Sequence, residues 1–223
     1  MSSKPAKIFV VDDHPVFRLG LRRLLEAEGD LVVCGEADDS VGAAARIRDC
    51  APDLVIVDVS LRQSIGIDLV RQLKLEDERR PVLVISMRDE HLYAERALRA
   101  GAAGYITKDV DPAILIGAIR KALRGDLAVS EKLAITMLRA SLQGSPRPSS
   151  NLGNLSDREM EVFELVGRGM KTRAIAEALA ISIKTVESHQ SSIKRKMGIR
   201  GMSELRRVAA VWVTTGSSAA SRP

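Results

Sequence analysis

The sequence contains few aromatic residues, only two cysteines and no long hydrophobic segment. Phe, Trp and Tyr make up 3% of the 223 residues, which argues against aromatic platforms that stack on bases or sugars. Cys34 and Cys50 are too few for a disulfide framework and lack metal-ligand spacing, so we expect small buried side chains in a reducing cytosol. No apolar run approaches the ~18 residues that a membrane span requires.

The beginning of the chain shows no targeting signal. In "MSSKPAKIFVVDDHP" the apolar run from Ile8 to Val11 is interrupted by two acidic residues, and it is shorter than the hydrophobic region of a signal peptide. The sequence therefore predicts a cytoplasmic protein that does not associate with a membrane.

Charge is distributed unevenly along the chain, whose length allows two domains. Residues 1–150 carry 22 Lys and Arg against 22 Asp and Glu, whereas residues 151–223 carry 12 against 7. The whole formal charge of +5 therefore lies in the last third. This asymmetry predicts that the last third contacts a polyanion, although a solvated basic surface would give the same counts.

Five short apolar runs alternate with segments of helical spacing in the first 125 residues. The runs are residues 7–11, 31–36, 54–58, 81–86 and 104–107. The helical segments are marked by Val16, Leu19, Leu24 and Leu25, by Leu92, Ala97 and Leu98, and by Ile114, Leu115, Ala118, Ile119 and Ala122. This alternation predicts an α/β fold with a five-stranded, doubly wound parallel sheet.

Polar residues occur at the ends of four of these strands. Asp12 and Asp13 follow the first strand, Asp58 ends the third, Ser86 ends the fourth, and Lys108 follows the fifth. The carboxyl ends of parallel strands share one edge of the sheet, where ligands bind near the switch point in strand order. Each residue alone is explained by a helix cap or a solvated charge, but together they predict a functional site.

The predicted site has a definite chemistry. Three converging carboxylates repel one another, so a cation must neutralise them or their pKa values rise. Carboxylate and carbonyl oxygens suit Mg²⁺, and an Asp beside such a cation can attack phosphorus and form an aspartyl phosphate. Lys108 and Ser86 are placed to contact the phosphoryl oxygens.

A connector separates this part from a wholly helical one. Residues 126–143 predict a helix, and "QGSPRPSSNLGN" (143–154) has the composition of a linker. Ser156 and Glu159 then fit a capping box. A last helix carries Leu205, Val208 and Trp212 on one face, which we expect to be partly core, before a frayed tail.

The segment "TRAIAEALAISIKTVESHQSSIKRK" has the length of a helix-turn-helix, with its turn near Ile181 and Ser182. The expected core residues are Ile175, Ala176, Leu179, Val186 and Ile193. The outward face of the second helix carries Lys184, Glu187, Ser188, Ser191, Lys194 and Arg195. Lys and Arg suit phosphates, and Ser and Glu can meet base edges. A plain helical bundle with solvated charges remains an alternative.

The first part resembles the receiver domain of two-component response regulators, and "LYAERALRAGAAGYITKD" is especially similar to the NarL/FixJ subfamily. The resemblance implies phosphotransfer from a histidine kinase to Asp58, with Mg²⁺ held by Asp12, Asp13, Asp58 and the Ser60 carbonyl. It also implies that Ser86 turns toward the phosphoryl group, that Tyr105 moves inward, and that Lys108 binds phosphate.

The segment "LSDREMEVFELVGRGMKTRAIAEALAISIKTVESHQSSIKRKMGI" resembles the LuxR-type DNA-binding domain. This resemblance implies that Glu187, Ser188 and Ser191 face the major groove, and that Lys184, Thr185, His189, Lys194 and Arg195 lie toward the DNA backbone. A packed, neutral His189 stays open as an alternative. In relatives the last helix mediates dimerisation, so we expect a homodimer when the protein is phosphorylated.

The expected organisation is a receiver over 1–126, a connector helix and linker over 127–151, a DNA-binding domain over 152–215, and a flexible tail over 216–223. The DNA-binding domain is expected to be a small four-helix unit. The predicted function is phosphorylation-dependent, DNA-binding transcriptional regulation, without enzymatic activity.

One departure from the receiver pattern leaves other functions open. Receivers usually have a Met-Pro pair after the phosphoacceptor, whereas this chain has Leu61 and Arg62, which predicts a looser loop. Gly66 is retained at the expected place. A constitutive DNA-binding protein with a receiver used only for dimerisation is one alternative. A Mg²⁺-dependent phosphohydrolase is another, although His14 and Pro15 follow Asp13 where Asp-x-Asp would be expected. A regulator with a lipid-like ligand is a third.

Overall fold

The computed structural model describes residues 4–61, 64–88, 90–142 and 152–218. The chain divides into two compact units, residues 1–135 and 136–223. Residues 143–151, most of the predicted linker, lie outside the described ranges, as does Arg62.

The first unit is built on a five-stranded parallel sheet. Its strands are β1 (Ala6–Val11), β2 (Leu31–Ala37), β3 (Leu54–Asp58), β6 (Val82–Ser86) and β7 (Gly104–Thr107), and β4 (Ser60–Leu61) and β5 (Ser64–Ile65) form a separate antiparallel ribbon. The sheet order is β2-β1-β3-β6-β7, with every pairing parallel. The predicted α/β fold is confirmed.

The central strands are apolar because no face of them meets water. All five residues of β3 and all five of β6 are buried, as expected for strands covered on both faces. The covering helices are α1 (Pro15–Glu26), α2 (Ser40–Cys50), α3 (Gly66–Glu76), α4 (Glu90–Arg99) and α5 (Pro112–Leu123).

The helices bury slightly different stripes from those that the spacing predicted. In α1 the buried residues are Leu21 and Leu25, while Val16 is 83% exposed. Leu19 is also exposed. In α5, Ile114 is exposed although Leu115, Ala118, Ile119 and Ala122 are buried as predicted. At 3.6 residues per turn only one stripe of each helix can face the sheet, and residues at the edge of the apolar set remain outside it.

The predicted helix over 126–143 starts later, at Glu131, and forms α6 (Glu131–Leu142). Before it, Ala128 pairs with the edge of β7: its carbonyl accepts from Tyr105 N–H at 2.9 Å, and its N–H donates to the Ala103 carbonyl at 2.9 Å. A Cβ on Gly104 would lie 2.1 Å from the Ala128 oxygen, so this close pairing requires glycine. Ala128 therefore pairs with the open edge of β7 instead of joining α6, which begins after it.

The two cysteines are half-buried, and they are therefore less buried than the sequence predicted. The Cys50 thiol donates to the Cys34 carbonyl at 3.2 Å. Burial, followed by the neighbouring Cys50, raises the pKa of the Cys34 thiol to about 11. Cys34 is therefore protonated at neutral pH.

The second unit is helical. A 3₁₀ turn (Leu152–Asn154) precedes α7 (Asp157–Gly167), α8 (Thr172–Ala178), α9 (Ile183–Met197) and α10 (Met202–Ser218). The five predicted core residues of the helix-turn-helix are buried, and Leu205 of α10 is fully buried. The Trp212 ring packs edge-on against Phe163, with centroids 5.5 Å apart.

The C-terminal helix continues through Ser218, past the predicted start of the tail at 216. Residues 219–223 lie outside the described ranges. Among the described residues, no helix is both long and apolar enough to cross a bilayer.

Candidate functional site

The sheet order places the predicted acidic residues side by side. β1 and β3 are neighbours and pair up to Val11 and Val57, so Asp12 and Asp58 leave adjacent strand ends. The following strands lie on the other side of β3 from β1, which makes this edge the switch point of the sheet. Both aspartates are almost completely buried, at 0% and 1% exposure.

Lys108 neutralises part of this buried charge. Its Nζ lies 2.6 Å from Asp12 Oδ2 and 2.7 Å from Asp58 Oδ2, and its side chain is only 4% exposed. The Lys108 N–H donates to the Ser86 carbonyl at 2.9 Å, which holds the loop beside the site. The ammonium also lies 4.6 Å from the ring centroid of Phe17, a cation–π contact that sequence analysis did not predict.

The Asp58 carboxyl is shaped by two opposing influences. Burial raises its pKa, and the ammonium of Lys108 opposes this by favouring the charged form. Oδ1 of Asp58 accepts the Ser60 N–H at 3.1 Å, which fixes the orientation of the carboxylate. Burial has the larger effect, so the pKa of Asp58 is raised overall. A cation at this edge would act in the same direction as Lys108 and favour the ionised carboxylate.

The donor atoms fit the predicted magnesium site. Carboxylate oxygens of Asp12, Asp13 and Asp58 and one nitrogen of His14 lie within 4.8 Å of one another. Hard oxygen ligands of this kind suit Mg²⁺. The role of the Ser60 carbonyl stays a prediction, because the contacts seen for Ser60 involve its N–H and its hydroxyl.

His14 belongs to this cluster although sequence analysis gave it no role. Its Nδ1 lies 2.8 Å from Asp13 Oδ1, 3.1 Å from Asp12 Oδ1 and 3.7 Å from Asp58 Oδ2. The signal that could have identified it is its position immediately after the acidic pair.

The predicted switch residues are connected through a further residue, Arg88. Ser86 Oγ accepts the Arg88 N–H at 3.1 Å, and the hydroxyl of Tyr105, which is fully buried, donates to the Arg88 carbonyl at 2.8 Å. Arg88 Nε donates to Ser60 Oγ at 3.1 Å. Arg88 thus joins the loop after Asp58 to both predicted switch residues, and no sequence pattern marks it.

The predicted recognition helix, α9, is capped at both ends. The Ser182 side chain accepts the Thr185 N–H at 3.0 Å, and Gly198 ends the helix in the left-handed conformation with φ of 69°. Of the eight residues assigned to DNA contact, Lys184, Glu187, Ser188, Ser191 and Arg195 are exposed, whereas Thr185, His189 and Lys194 are half-buried. Lys194, which was predicted to lie on the outward face of the helix, is therefore less exposed than expected.

His189 lies in an environment that disfavours its charged form. Burial, and secondly the charge of Arg158, lowers its pKa. The lowered pKa and the half-buried position of His189 favour the neutral, packed histidine that the sequence left open.

The predicted capping box of α7 is confirmed and extends to α9. Ser156 N–H donates to Glu159 Oε2 at 2.6 Å, and Glu159 N–H donates to Ser156 Oγ at 3.2 Å. The same carboxylate accepts from Ser192 Oγ at 2.6 Å and from Lys196 Nζ at 2.7 Å. Lys196 is therefore used to hold the recognition helix against α7, a role that sequence analysis missed.

Comparison with known proteins identifies both units. Residues 8–120 match the response regulator receiver domain, and residues 153–209 match the family described as bacterial regulatory proteins, luxR family. The chain is 32% identical over 205 residues to the oxygen regulatory protein NreC of Staphylococcus aureus, covering 89% of this chain and 94% of that protein. The chain belongs to the NarL/FixJ family of response regulators.

Solved structures of response regulators share the architecture. A LuxR-family two-component response regulator from Aurantimonas sp. SI85-9A1 is 36% identical with a TM-score of 0.58, over 62% of this chain and 99% of that one. RcsB of Salmonella enterica serovar Typhimurium, bound to promoter rprA in the presence of phosphomimetic BeF₃⁻, is 25% identical with a TM-score of 0.62, over 93% and 99%.

These matches establish the general function of this response regulator, which is phosphorylation-dependent regulation of transcription. A receiver domain implies a histidine kinase partner, and a LuxR-type domain implies binding to DNA. Members of the family are typically DNA-binding regulators and not enzymes.

Proposed function

We propose that Asp58 is the phosphoacceptor that controls DNA binding by this response regulator. The observation that carries the proposal is the buried Asp58 carboxylate at the switch point of the sheet, with Lys108 Nζ 2.7 Å from its Oδ2. An Asp58 oxygen attacks the phosphorus of a kinase phosphohistidine, the P–N bond breaks, and the imidazole leaves with the electron pair and is protonated. The product is an acyl phosphate on Asp58.

The residues around Asp58 prepare it for this transfer. Asp12, Asp13, Asp58 and the Ser60 carbonyl would hold Mg²⁺, which when bound neutralises the charge that gathers on the phosphoryl oxygens. Lys108 holds its ammonium against the Asp12 and Asp58 carboxylates, where it would meet the phosphoryl oxygens. Its attachment to two buried carboxylates holds it in position before the phosphoryl group arrives.

Phosphorylation is read out through the loop at the end of β6. The Ser86 hydroxyl, which accepts the Arg88 N–H at 3.1 Å, turns to the phosphoryl group instead. Because the Arg88 carbonyl accepts the Tyr105 hydroxyl, a shift of this loop alters the packing of Tyr105. The receiver surface around α4 and α5 has two conformations, and the phosphoryl group thereby shifts the equilibrium between them.

The output is a change in binding to double-stranded DNA. Glu187, Ser188 and Ser191 face the major groove, and Lys184, Thr185, His189, Lys194 and Arg195 lie toward the phosphates. The phosphorylated protein is a homodimer on paired half-sites, in which α10 takes part. The solved structure of two RcsB dimers bound to two parallel DNAs supports this assembly. The site of action is the cytoplasm, where the DNA lies.

We keep the predicted domain division, with a receiver over 1–126, a connector helix and linker over 127–151 and a DNA-binding domain over 152–215. The pairing of Ala128 with the edge of β7 favours a receiver that ends somewhat later, and the continuation of α10 to Ser218 favours a DNA-binding domain that ends past 215.

The test is a comparison of DNA affinities in the full-length chain. Duplexes are selected from a random pool with protein treated with a small phosphoramidate and Mg²⁺, and affinity for a selected duplex is measured with and without the donor. We expect about tenfold tighter binding with the donor, within the usual range of coupling between two sites. Asp58→Asn should show no change. Equal affinities for the wild type under both conditions would overturn the proposal and favour constitutive DNA binding; steady hydrolysis of a phosphomonoester would favour a phosphohydrolase.

A further inference from the structure

His14 has a side chain that its own helix does not use. It is the N-cap residue of α1, yet it makes no side-chain capping bond, and Pro15 follows at the first helical position. The imidazole turns instead toward the acidic cluster, while the side chain remains 58% exposed. One ring nitrogen is thus committed to the cluster, and the residue is accessible from solvent.

The distances from Nδ1 to Asp12 and Asp13 are those of neighbouring ligands on one cation, whereas Asp58 Oδ2 is farther away, at 3.7 Å. In an octahedral site with ligands at 2.0–2.1 Å, adjacent ligand atoms lie about 3 Å apart. Nδ1 lies 2.8 Å from Asp13 Oδ1 and 3.1 Å from Asp12 Oδ1. Asp12 Oδ1 already accepts the His14 N–H at 2.8 Å, which holds the imidazole and the carboxylate on one short segment of chain.

We propose that His14 Nδ1 is a protein ligand of the divalent cation at this site, and that the site therefore prefers a first-row transition metal such as Mn²⁺ to Mg²⁺. The inference rests on the proposed cation site of Asp12, Asp13 and Asp58. Mg²⁺ takes oxygen ligands, whereas imidazole suits transition metals, whose affinities follow the Irving–Williams order. A nitrogen added to three carboxylates gives a mixed donor set, which discriminates between Mg²⁺ and the first-row transition metals.

A second arrangement would give the same contacts without metal ligation. His14 could stand beside the carboxylates as a hydrogen-bond partner alone, and a cation would then displace it. The two arrangements differ in whether the metal nucleus senses a nitrogen atom. They also differ in how the loss of the imidazole changes affinity for Mn²⁺ relative to Mg²⁺.

The experiment uses the full-length chain loaded with Mn²⁺, in the wild type, His14→Ala and His14→Gln. Pulsed electron paramagnetic resonance on the wild type should show the coupling of a directly bound imidazole nitrogen, and both variants should lose it. Calorimetry should show affinity for Mn²⁺ reduced by at least about tenfold in both variants, the lower end of the loss seen when residues around a metal site are removed. Affinity for Mg²⁺ should stay within about twofold, because oxygen ligands carry that binding.

An Asp13→Asn variant separates the two levels of the account. If Mn²⁺ binds the wild type weakly and Asp13→Asn makes no difference, the proposed cation site itself fails. If Asp13→Asn weakens Mn²⁺ binding but the wild type shows no nitrogen coupling, only the role of His14 is overturned. A parallel loss of Mn²⁺ and Mg²⁺ affinity in His14→Gln would also overturn it, since the residue would then act on the carboxylates alone.

Discussion

Lys108 and Asp58 form an ion pair of 2.7 Å between Nζ and Oδ2, with both side chains buried. The same ammonium lies 2.6 Å from Asp12. The Lys108 ammonium thus lies between two carboxylates that are almost completely buried. In the function proposed above, this arrangement keeps the nucleophilic oxygen of Asp58 and the phosphate-binding ammonium of Lys108 in contact before any phosphoryl group arrives.

Removing the ammonium should destabilise the receiver in the absence of divalent cations. In Lys108→Ala, Asp12 and Asp58 remain buried without their partner, and loss of one member of a buried ion pair costs about 3–5 kcal/mol. We expect the free energy of unfolding in urea at pH 7 to fall by about 3 kcal/mol. Added Mg²⁺ should restore part of it. The control is Lys121→Ala, at an exposed lysine of α5; equal losses in the two variants would contradict the account.

Gly66 is required by the close approach of α3 to Asp58. A Cβ at Gly66 would lie 1.8 Å from the Asp58 carbonyl oxygen. Gly66→Ala should therefore displace Asp58, lower stability by about 1–3 kcal/mol and slow phosphorylation by a phosphoramidate. Gly117→Ala is a matched control, because nothing lies within 4 Å of a Cβ there and alanine favours the helix. Thermal unfolding would decide, and a Gly66→Ala protein as stable as Gly117→Ala would refute the packing argument.

Glu159 should give the DNA-binding domain a pH-dependent stability. Burial raises its pKa, but hydrogen bonds from Lys196, Ser192 and Ser156 outweigh this and lower the pKa to about 2. A depressed carboxyl pKa stabilises the fold above the unfolded value near 4.5, and the contribution is lost as the pH falls toward 2.

Glu159→Gln should thus cost about 3 kcal/mol at pH 7, since each pKa unit corresponds to about 1.4 kcal/mol. The difference from wild type should shrink between pH 5 and pH 2. Trp212, the only tryptophan of the chain, packs against Phe163 of α7 and reports unfolding of this unit by fluorescence. A loss that does not change with pH would show that the charge of Glu159 is unimportant.

Two adjacent basic residues of α9 should behave differently toward DNA. Arg195 is exposed, whereas Lys196 is held by Glu159. Arg195→Ala should weaken binding to all duplexes and reduce the slope of log affinity against log salt by about 1. Lys196→Ala should leave the slope unchanged and lower the melting temperature. Equal slopes for the two variants would contradict the assignment of the DNA-facing surface.

The sequence predicted the sheet and the acidic edge because both depend on local patterns. A strand buried on both faces must be an apolar run, and β3 and β6 show this directly. A residue at the end of such a strand lies at the shared edge of the sheet, whichever way the helices pack. Asp12, Asp58 and Lys108 could therefore be placed together from the sequence alone.

Contacts that depend on tertiary approach were not predictable in the same way. Arg88 reaches Ser60 across 28 positions, and Glu159 reaches Lys196 across 37; neither pair has a characteristic spacing. α6 starts late because Ala128 pairs with the edge strand β7, and helix propensity does not predict this pairing. Side-chain spacing fixes faces and edges, but long-range partners follow from packing.

The most direct test of the central claim is the site of phosphorylation. Wild type, Asp58→Asn and the control Asp53→Asn are incubated with a small phosphoramidate and Mg²⁺ and separated on a phosphate-affinity gel. The account predicts a shifted band in the wild type and in Asp53→Asn, and none in Asp58→Asn. A shifted band that survives in Asp58→Asn, or the absence of a shift in all three proteins, would contradict it.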